Sequence, residues 1–300
     1  MKTSVYQSLF FPSPGEIARL HDCCSRKAHA VRHGDSVLLL DLNAWESAAL
    51  GCNVGRIVGL FYEEIEEIRA AMKPLLSDAM SWFRERHVDY VHLSLSGASQ
   101  SLIDDARDEG WLPCGHLNIY RRMFSAPDEK ASRDDRIVDI GDPAFHSQIT
   151  AIARGSILNN RILMDSDLGD DRKERWKMTF AESLAADDGE GKVIRGIVED
   201  GNVRGFYILQ KDLGLSAEMG TRFGYLWYIC VAPEEQRSGT GSLLMADFCR
   251  TASAMLDVCE ISVSQDNAIA NSLYKKFAFD LMGTTTQLHR HLRNARRDPS

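Results

Sequence analysis

The feature that most constrains the fold of this sequence is a long segment that returns, without a gap, near the other end of the chain. The alternating stretch Val91-His-Leu-Ser-Leu-Ser-Gly aligns with Cys259-Glu-Ile-Ser-Val-Ser-Gln. At the same offset, further residues of like type coincide: Trp111 with Phe279, Cys114 with Met282, Gly115 with Gly283, and Arg122 with Arg290. Each copy reads as a strand, a helix and a second strand, so the sequence predicts two similar folding units. A chance match of two β-α-β segments is the alternative.

The composition is that of an ordinary globular protein. The 300 residues are 44% hydrophobic and 26% charged, with a formal net charge of −8 and no long Lys/Arg block. These values predict neither a nucleic-acid partner nor a membrane partner. The seven cysteines are scattered and include no Cys-x-x-Cys pair. Together with an N-terminal stretch unlike a signal peptide, they favour a reduced, cytoplasmic protein.

A polar segment divides the chain near its middle. Residues Asp128–Arg136 are charged and show no periodicity. We therefore predict an N-terminal unit at 1–127, a linker at 128–136 and a C-terminal unit at 137–300. Strand and helix patterns alternate after the linker, which predicts an α+β protein, layered, with a mixed, mostly antiparallel twisted sheet flanked by helices.

A glycine-bearing loop in the C-terminal unit joins a predicted strand to a predicted helix. It follows the apolar run that ends at Val231, and it consists of Gln236, Arg237, Ser238, Gly239, Thr240, Gly241 and Ser242. Bare backbone N–H groups and a helix N-terminus can close around a diphosphate. No Gly-Lys-Ser/Thr follows, which excludes a P-loop, and the third glycine of a dinucleotide fingerprint is missing.

A second element lies downstream of this loop. Asn267, Asn271 and Tyr274 are spaced at i, i+4 and i+7, which predicts one face of a helix. Apolar residues form the other arc and are predicted to be core: Ile269, Ala270, Leu273 and Phe277. A partly buried structural tyrosine is the alternative to a functional Tyr274.

Together the two elements resemble the GNAT superfamily of acetyl-CoA-dependent N-acyltransferases. The loop matches the pattern Q/R-x-x-G-x-G/A, and residues Asn267–Phe279 match N-x-x-A-x-x-L-Y-x-K-x-G-F except at Ala278, where the family usually has glycine. The resemblance covers about Ile137–Leu292. It implies a catalytic GNAT domain at 137–300 and a degenerate GNAT-like unit before it.

The resemblance also implies a role for each motif, with acetyl-CoA as co-substrate. The Gln236–Ser242 amides would hold the pyrophosphate, while the main chain of Ile229, Cys230 and Val231 would pair with the pantetheine arm. Asn267, with Asn271 beside it, would contact that arm, and Tyr274 would protonate the departing thiolate. No general base is evident, because Glu260 and Asp266 border the site without a clear role, so we expect water-mediated deprotonation. In the first copy Ser99 aligns with Asn267 and Ala106 aligns with Tyr274. The first copy therefore lacks both motif residues, and we expect one cofactor per chain.

The acceptor is suggested by a narrower resemblance. The two-part layout and the segment Asn159-Asn160-Arg161, with Arg175-Trp176 after it, are similar to N-acetyltransferases of nucleotide-linked 4-amino-sugars, the TDP-fucosamine type used in surface polysaccharides. It implies that Arg161 and Trp176 lie near the acceptor, although helix core is the alternative for Trp176. Another small amine (amino acid, polyamine or antibiotic) and a non-catalytic acyl-CoA-binding module remain open, as does a homodimer.

One further cluster of metal-ligand residue types occurs early in the chain: His21, Cys23, Cys24, His29 and His33. Their spacing fits no known ligand pattern, so the sequence predicts no metal site.

Overall fold

The computed structural model describes residues 2–6, 28–62, 64–96, 100–126, 134–157, 160–186 and 191–292. Several features noted in the sequence lie outside these ranges: His21, Cys23, Cys24, Ser99, Asn159 and most of the predicted linker. The unit boundaries around 127 and 137 therefore stay a prediction.

The first half of the chain contains β1 (Lys2–Tyr6), β2 (His29–His33), β3 (Ser36–Leu42), α1 (Ala44–Leu50), β4 (Val54–Tyr62), α2 (Ile65–Glu85), β5 (Tyr90–Ser96), α3 (Gln100–Asp108) and β6 (Leu112–Met123). The second half contains β7 (Ile137–Asp139), α4 (His146–Ser156), α5 (Arg161–Met164), α6 (Asp170–Ala185), β8 (Lys192–Glu199), β9 (Asn202–Lys211), α7 (Leu213–Met219), β10 (Phe223–Val231), α8 (Thr240–Met255), β11 (Val258–Ser264), α9 (Ala268–Lys276) and β12 (Asp280–His291). Short 3₁₀ turns at Pro143–Phe145 and Pro233–Glu235 precede α4 and α8.

The repeat seen in the sequence is a structural repeat. β5, α3 and β6 begin and end 168 residues before β11, α9 and β12, as the starts of β5 at Tyr90 and β11 at Val258 illustrate. The agreement extends over three consecutive elements, which a chance resemblance between unrelated segments would not produce.

The twelve strands in the described part of the chain join one sheet, in the order β2-β3-β4-β5-β12-β6-β11-β10-β9-β8-β7, with β1 added to β4. Among the described residues only β4–β5 and β10–β11 are parallel pairs, so the predicted mixed, mostly antiparallel α+β architecture is confirmed. The two halves exchange their last strands: β12 pairs with β5 of the first half, and β6 pairs with β11 of the second. Neither half therefore completes its hydrogen-bonded sheet without the other.

Helices bury apolar stripes against the faces of this sheet. In α8 the buried side chains of Leu244, Phe248 and Ala252 recur at helical spacing, as the sequence predicts. In α2 an equivalent stripe runs from Ile68 to Phe83 and packs on β3 and β4. None of the helices among the described residues has the length and apolar character needed to span a lipid bilayer.

Candidate active site

The central feature of the second half is a wedge between two parallel strands. β10 and β11 pair only at three positions, from Phe223↔Val258 to Tyr225↔Glu260. Beyond these positions β10 remains paired with β9, and β11 remains paired with β6. The two strands therefore diverge with unpaired backbone edges facing each other, which is a template for an extended ligand bearing amide groups.

A β-bulge helps to open this wedge. The register between β10 and β9 shifts between Leu226 and Tyr228, so Trp227 is an extra residue in β10. A bulge bends its strand and often occurs beside a binding site. The resulting cleft has a volume of about 640 Å³. It is lined by Leu117, Ser156, Ile157, Asn160, Arg161, Phe180, Leu226, Trp227, Tyr228, Ile229, Ile261, Ser262, Val263, Ser264, Asp266, Asn267, Ala268, Ile269, Tyr274 and Gln287.

The glycine loop forms the N-terminus of α8. Gly239 caps the helix at φ +94°, a conformation that favours glycine, and no atom lies within 4 Å of where its Cβ would stand. Among the described residues, the backbone N–H groups of Arg237, Ser238, Gly239 and Gly241 have no hydrogen-bond partner. The Nζ of Lys276 lies 3.5 Å from the Ser242 hydroxyl. Free donors, a helix dipole and a lysine together suit an anion.

Tyr274 lines the cleft from α9. Its side chain is only 4% exposed, and its ring lies edge-on to Tyr120 at 5.9 Å. Within the described part of the chain its hydroxyl has no hydrogen-bond partner. Burial, with a smaller contribution from the neighbouring Tyr120, raises the pKa of this phenol above its usual value. The hydroxyl is therefore protonated at neutral pH and available as a donor.

The two asparagines of the second motif differ in what they can reach. Asn267 lines the cleft and caps α9, since its Oδ1 accepts from the Ala270 N–H at 3.1 Å. Asn271 is buried, and its Oδ1 accepts from Asn118 Nδ2 at 2.8 Å and the Tyr120 hydroxyl at 2.9 Å. Its Nδ2 donates to backbone carbonyls, among them that of Asn267 at 2.7 Å. All polar atoms of the Asn271 side chain are thus used internally, which corrects the prediction that it contacts the cofactor.

The residues predicted to flank the pantetheine arm lie on the open edge of β10. Ile229 lines the cleft, and Cys230 and Val231 follow it to the end of the strand. The Cys230 side chain points into the core, and burial raises the pKa of its thiol to about 12. It is therefore an unreactive packing residue, and only its main chain is available to a ligand.

The far end of the cleft joins the two halves through buried charges. Arg161, at the start of α5, forms an ion pair with Glu46 of α1 and donates to the Tyr90 hydroxyl at 3.2 Å. The other Glu46 oxygen lies 3.2 Å from His92 Nε2. Burial alone would raise the pKa of Glu46, but Arg161 and His92 more than offset this and hold it well below its usual value. Arg161 thus lines the cleft with its charge already balanced, and its predicted place near the acceptor stays a prediction.

Trp176 does not line the cleft. It is 3% exposed and stacks in parallel on Phe180, with ring centroids 5.1 Å apart. Phe180 is the ring that reaches the cleft wall. The prediction that Trp176 contacts the acceptor is therefore corrected to a supporting position behind Phe180, as its alternative reading as helix core anticipated.

Two hydroxyl groups at the cleft were not predicted from the sequence. The hydroxyls of Ser156 and Tyr228 lie 2.9 Å apart, and both residues line the cleft. They belong to α4 and β10, and the bulge that sets the direction of Tyr228 has no distinct sequence signal. Of the two carboxylates considered as bases, Asp266 is exposed at the cleft, whereas Glu260 is buried and paired with Arg121 at 2.7 Å.

The first half closes the equivalent wedge with its own chain. Residues Gly59–Tyr62 of β4 correspond to Trp227–Cys230 of β10 at the 168-residue offset. Residues Gly59–Phe61 pair with β3 on one side, and Gly59–Tyr62 pair with β1 on the other. No glycine stands at the start of α2, whose N-cap is Glu64 and whose first turn contains Glu66 and Glu67. Acidic groups at a helix N-terminus would repel a pyrophosphate.

Comparison with known proteins agrees with this geometry. Residues 161–279 match the family model described as "Acetyltransferase (GNAT) family". No sequence among the curated proteins matches the chain. Among solved structures, a GCN5-related N-acetyltransferase from Kribbella flavida is similar, with a TM-score of 0.58 at 12% identity over 94% of this chain and 96% of that one.

Two further structures show the same fold. A tandem GNAT protein from the clavulanic acid biosynthesis pathway aligns with a TM-score of 0.59 at 13% identity, over 98% of this chain and 91% of that one. A fungal GCN5-related glucosamine N-acetyltransferase region aligns at 0.56 and 14% identity, over 91% of this chain and 34% of that one. The chain therefore has the GNAT fold, and its residues 161–279 match the model of the GNAT acetyltransferase family.

Proposed function

We propose that this chain transfers an acetyl group from acetyl-CoA to the primary amine of a nucleotide-linked amino-sugar, with Tyr274 assisting departure of the thiolate. The observation that carries the reaction is the combination of three features in the cleft and in the loop that follows β10. These are the diverging edges of β10 and β11, the free N–H groups at the start of α8, and the unpartnered hydroxyl of Tyr274.

In this proposal acetyl-CoA lies between the start of α8 and the open edge of β10. The N–H groups of Arg237, Ser238, Gly239 and Gly241 bind the pyrophosphate, and Lys276 adds positive charge beside them. The pantetheine arm lies along Ile229–Val231, where the backbone of β10 has no strand on the β11 side. Asn267 contributes its amide N–H groups from the opposite wall.

The chemistry requires a neutral amine, a polarised thioester carbonyl and a proton for sulfur. Tyr274 supplies a hydrogen bond to the sulfur as negative charge develops there. A phenol with a raised pKa is a weaker acid than a thiol, so complete early proton transfer would be unfavourable. The proton therefore moves late, as the carbon–sulfur bond breaks and the attacking amine becomes acidic. Water within the cleft accepts the proton that the amine loses and returns a proton to the Tyr274 phenolate, which restores the acid.

The acceptor end favours a sugar over a polycation. It presents the Ser156 hydroxyl, the Asn160 amide and the Arg161 guanidinium beside the ring of Phe180. A few directed hydrogen-bonding groups next to an aromatic surface suit a ring bearing hydroxyls. The guanidinium and the balanced charge of Glu46 offer little attraction to a polyamine. The nucleotide part of the proposal rests on the sequence resemblance.

The test is a continuous assay of free CoA thiol with a panel of acceptors: a TDP-4-amino-sugar, glucosamine, spermidine, lysine and an aminoglycoside. We expect the highest kcat/KM with the TDP-amino-sugar, and Ser156→Ala should raise the KM for the acceptor while the KM for acetyl-CoA is unchanged. Turnover of spermidine or lysine, with no turnover of the sugars, would show that the proposed acceptor is wrong. Tight acetyl-CoA binding with no turnover of any amine would favour the binding-module alternative.

Calorimetry with acetyl-CoA tests the cofactor part separately. We expect one molecule per chain, because β1 occupies the wedge of the first half. A stoichiometry of two would contradict this assignment whatever the acceptor is.

A further inference from the structure

A second cluster of functional groups lies outside the acyl-transfer cleft. Asp165 ends helix α5, and His289 and His291 stand two residues apart on β12, so they project from the same face of the sheet. One ligand atom from each residue converges, with all three atoms within 4.8 Å of one another. Asp165 and His289 are buried, and the His291 side chain is 13% exposed.

The two carboxylate oxygens of Asp165 make different contacts. Its Oδ1 accepts from the Asp167 N–H at 2.8 Å and is thereby fixed in place. Its Oδ2 lies 2.9 Å from His291 Nε2 and 3.2 Å from His289 Nδ1. The contact with His289 lacks the geometry of a hydrogen bond, so this buried nitrogen points into the cluster without a hydrogen-bond partner among the described residues. A buried, unsatisfied imidazole nitrogen is costly unless something else binds it.

We propose that Asp165, His289 and His291 form a binding site for one borderline divalent transition-metal ion, of which Zn²⁺ is the probe. Metal–ligand distances of about 2.0–2.1 Å imply ligand–ligand separations of about 2.9 Å in octahedral and about 3.3 Å in tetrahedral sites. The two separations measured from Asp165 Oδ2, 2.9 and 3.2 Å, lie in the range spanned by these values, and all three ligand atoms lie within 4.8 Å of one another. Two imidazoles and one carboxylate are a donor set typical of such ions and leave at least one position open.

A metal ion at this site would link β12 to the segment that contains Arg161. Asp165 follows α5, which begins at Arg161, and the ring of Tyr90 lies 5.7 Å from His289 and 5.1 Å from His291. Tyr90 in turn accepts a hydrogen bond from Arg161. A bound ion therefore stabilises one end of the cleft wall. This inference does not depend on the proposed acceptor, and it replaces the sequence-based expectation of no metal site.

The experiment is calorimetric titration of the full chain, stripped with a chelator, with ZnCl₂. We expect one equivalent to bind and to raise the Tm, because an ion that binds only the folded state stabilises it. Asp165→Asn, which keeps the shape, and His291→Ala, at a partly exposed position, should each weaken binding by more than about tenfold. His33→Ala, at an exposed position on β2, is the matched control and should bind as the unmodified chain does.

Cobalt substitution identifies the ligands. Bound Co²⁺ should show d–d bands without a thiolate charge-transfer band, since the site has only nitrogen and oxygen donors. Three results would overturn the proposal: no stoichiometric binding to the stripped chain, unchanged affinity in both Asp165→Asn and His291→Ala, or a thiolate band that points to the cysteines near the N-terminus. A circular dichroism spectrum of each variant shows that a loss of binding is not a loss of the fold.

Discussion

Replacing Tyr274 by phenylalanine should separate catalysis from stability in this chain. The substitution removes one hydroxyl that has no hydrogen-bond partner among the described residues and leaves the buried ring in place. No internal hydrogen bond is lost, so the free energy of unfolding should change by less than about 0.5 kcal/mol. The acetyl-CoA dissociation constant should also stay within about twofold.

The rate should respond very differently. Loss of a positioned hydrogen-bond donor to developing negative charge typically costs about 100- to 1,000-fold, which corresponds to about 2.7–4 kcal/mol of transition-state stabilisation. We expect this loss in kcat and equally in kcat/KM, because the hydrogen bond to sulfur strengthens only as the thiolate forms. Burial raises the pKa of Tyr274, so the acid form persists as pH rises, and deprotonation of this group should cause no fall in rate below about pH 10.

Tyr207→Phe is the matched control. Its side chain is buried, with the hydroxyl 2.8 Å from Asp247 Oδ2 and 3.0 Å from Thr251 Oγ1, and Tyr207 is not among the residues that line the cleft. Removing a hydrogen bond to a charged group should cost about 1.5–3 kcal/mol of stability and leave kcat unchanged. Urea denaturation and the CoA-thiol assay measure both quantities. A Tyr274→Phe variant with at least half the original kcat, or one that loses as much stability as Tyr207→Phe, would refute the reasoning.

Three further perturbations test other parts of the structure. Gly239→Ala places a Cβ in open space at φ +94°, so it should cost about 1–2 kcal/mol through backbone strain alone and weaken acetyl-CoA binding; Gly155→Ala, within α4 and equally uncrowded, should be neutral or slightly stabilising, and equal effects of the two in denaturation and calorimetry would contradict this. Glu46→Gln removes the ion-pair partner of the buried Arg161 and should cost about 3–5 kcal/mol in urea denaturation, whereas Asp257→Asn breaks an exposed pair with Arg222 and should leave the denaturation midpoint almost unchanged; a small effect of Glu46→Gln would show that the pair is solvated. Residues 137–300 expressed alone should not fold, because β11 lacks β6 and β12 lacks both neighbours, and co-expression with 1–127 should restore a soluble complex; a cooperative thermal transition of 137–300 alone would disprove this interdependence.

Local patterns predicted the parts of the site that depend on short-range geometry. Gly239 and Gly241 were recognised because a helix start after a strand requires particular backbone conformations there. Asn267 and Tyr274 were placed on one helix face because helical periodicity decides which side chains share a face. Both lie at the cleft. Asn271 shares that face, but its side chain is hydrogen-bonded to Asn118 and Tyr120, which come from the other half of the chain.

Long-range contacts decided the rest. Trp176 and Phe180 are one helical turn apart, and only the packing of α6 shows that the phenylalanine reaches the cleft. The pairing of Arg161 with Glu46, and of Asp165 with His289 and His291, joins residues more than 100 positions apart. No periodicity in a sequence encodes such pairs.

The sequence by itself determined that the chain is built from two copies of one strand-helix-strand unit, and that only the second is preceded by a glycine-bearing loop at a helix start. Repetition and turn chemistry are local properties, so they can be read along the chain. The tertiary structure alone decided that the copies exchange their last strands, that β1 closes the wedge of the first copy, and that the wedge of the second stays open. These outcomes depend on which strand edges pair in the folded structure. The residues of one strand do not specify which distant strand it will pair with.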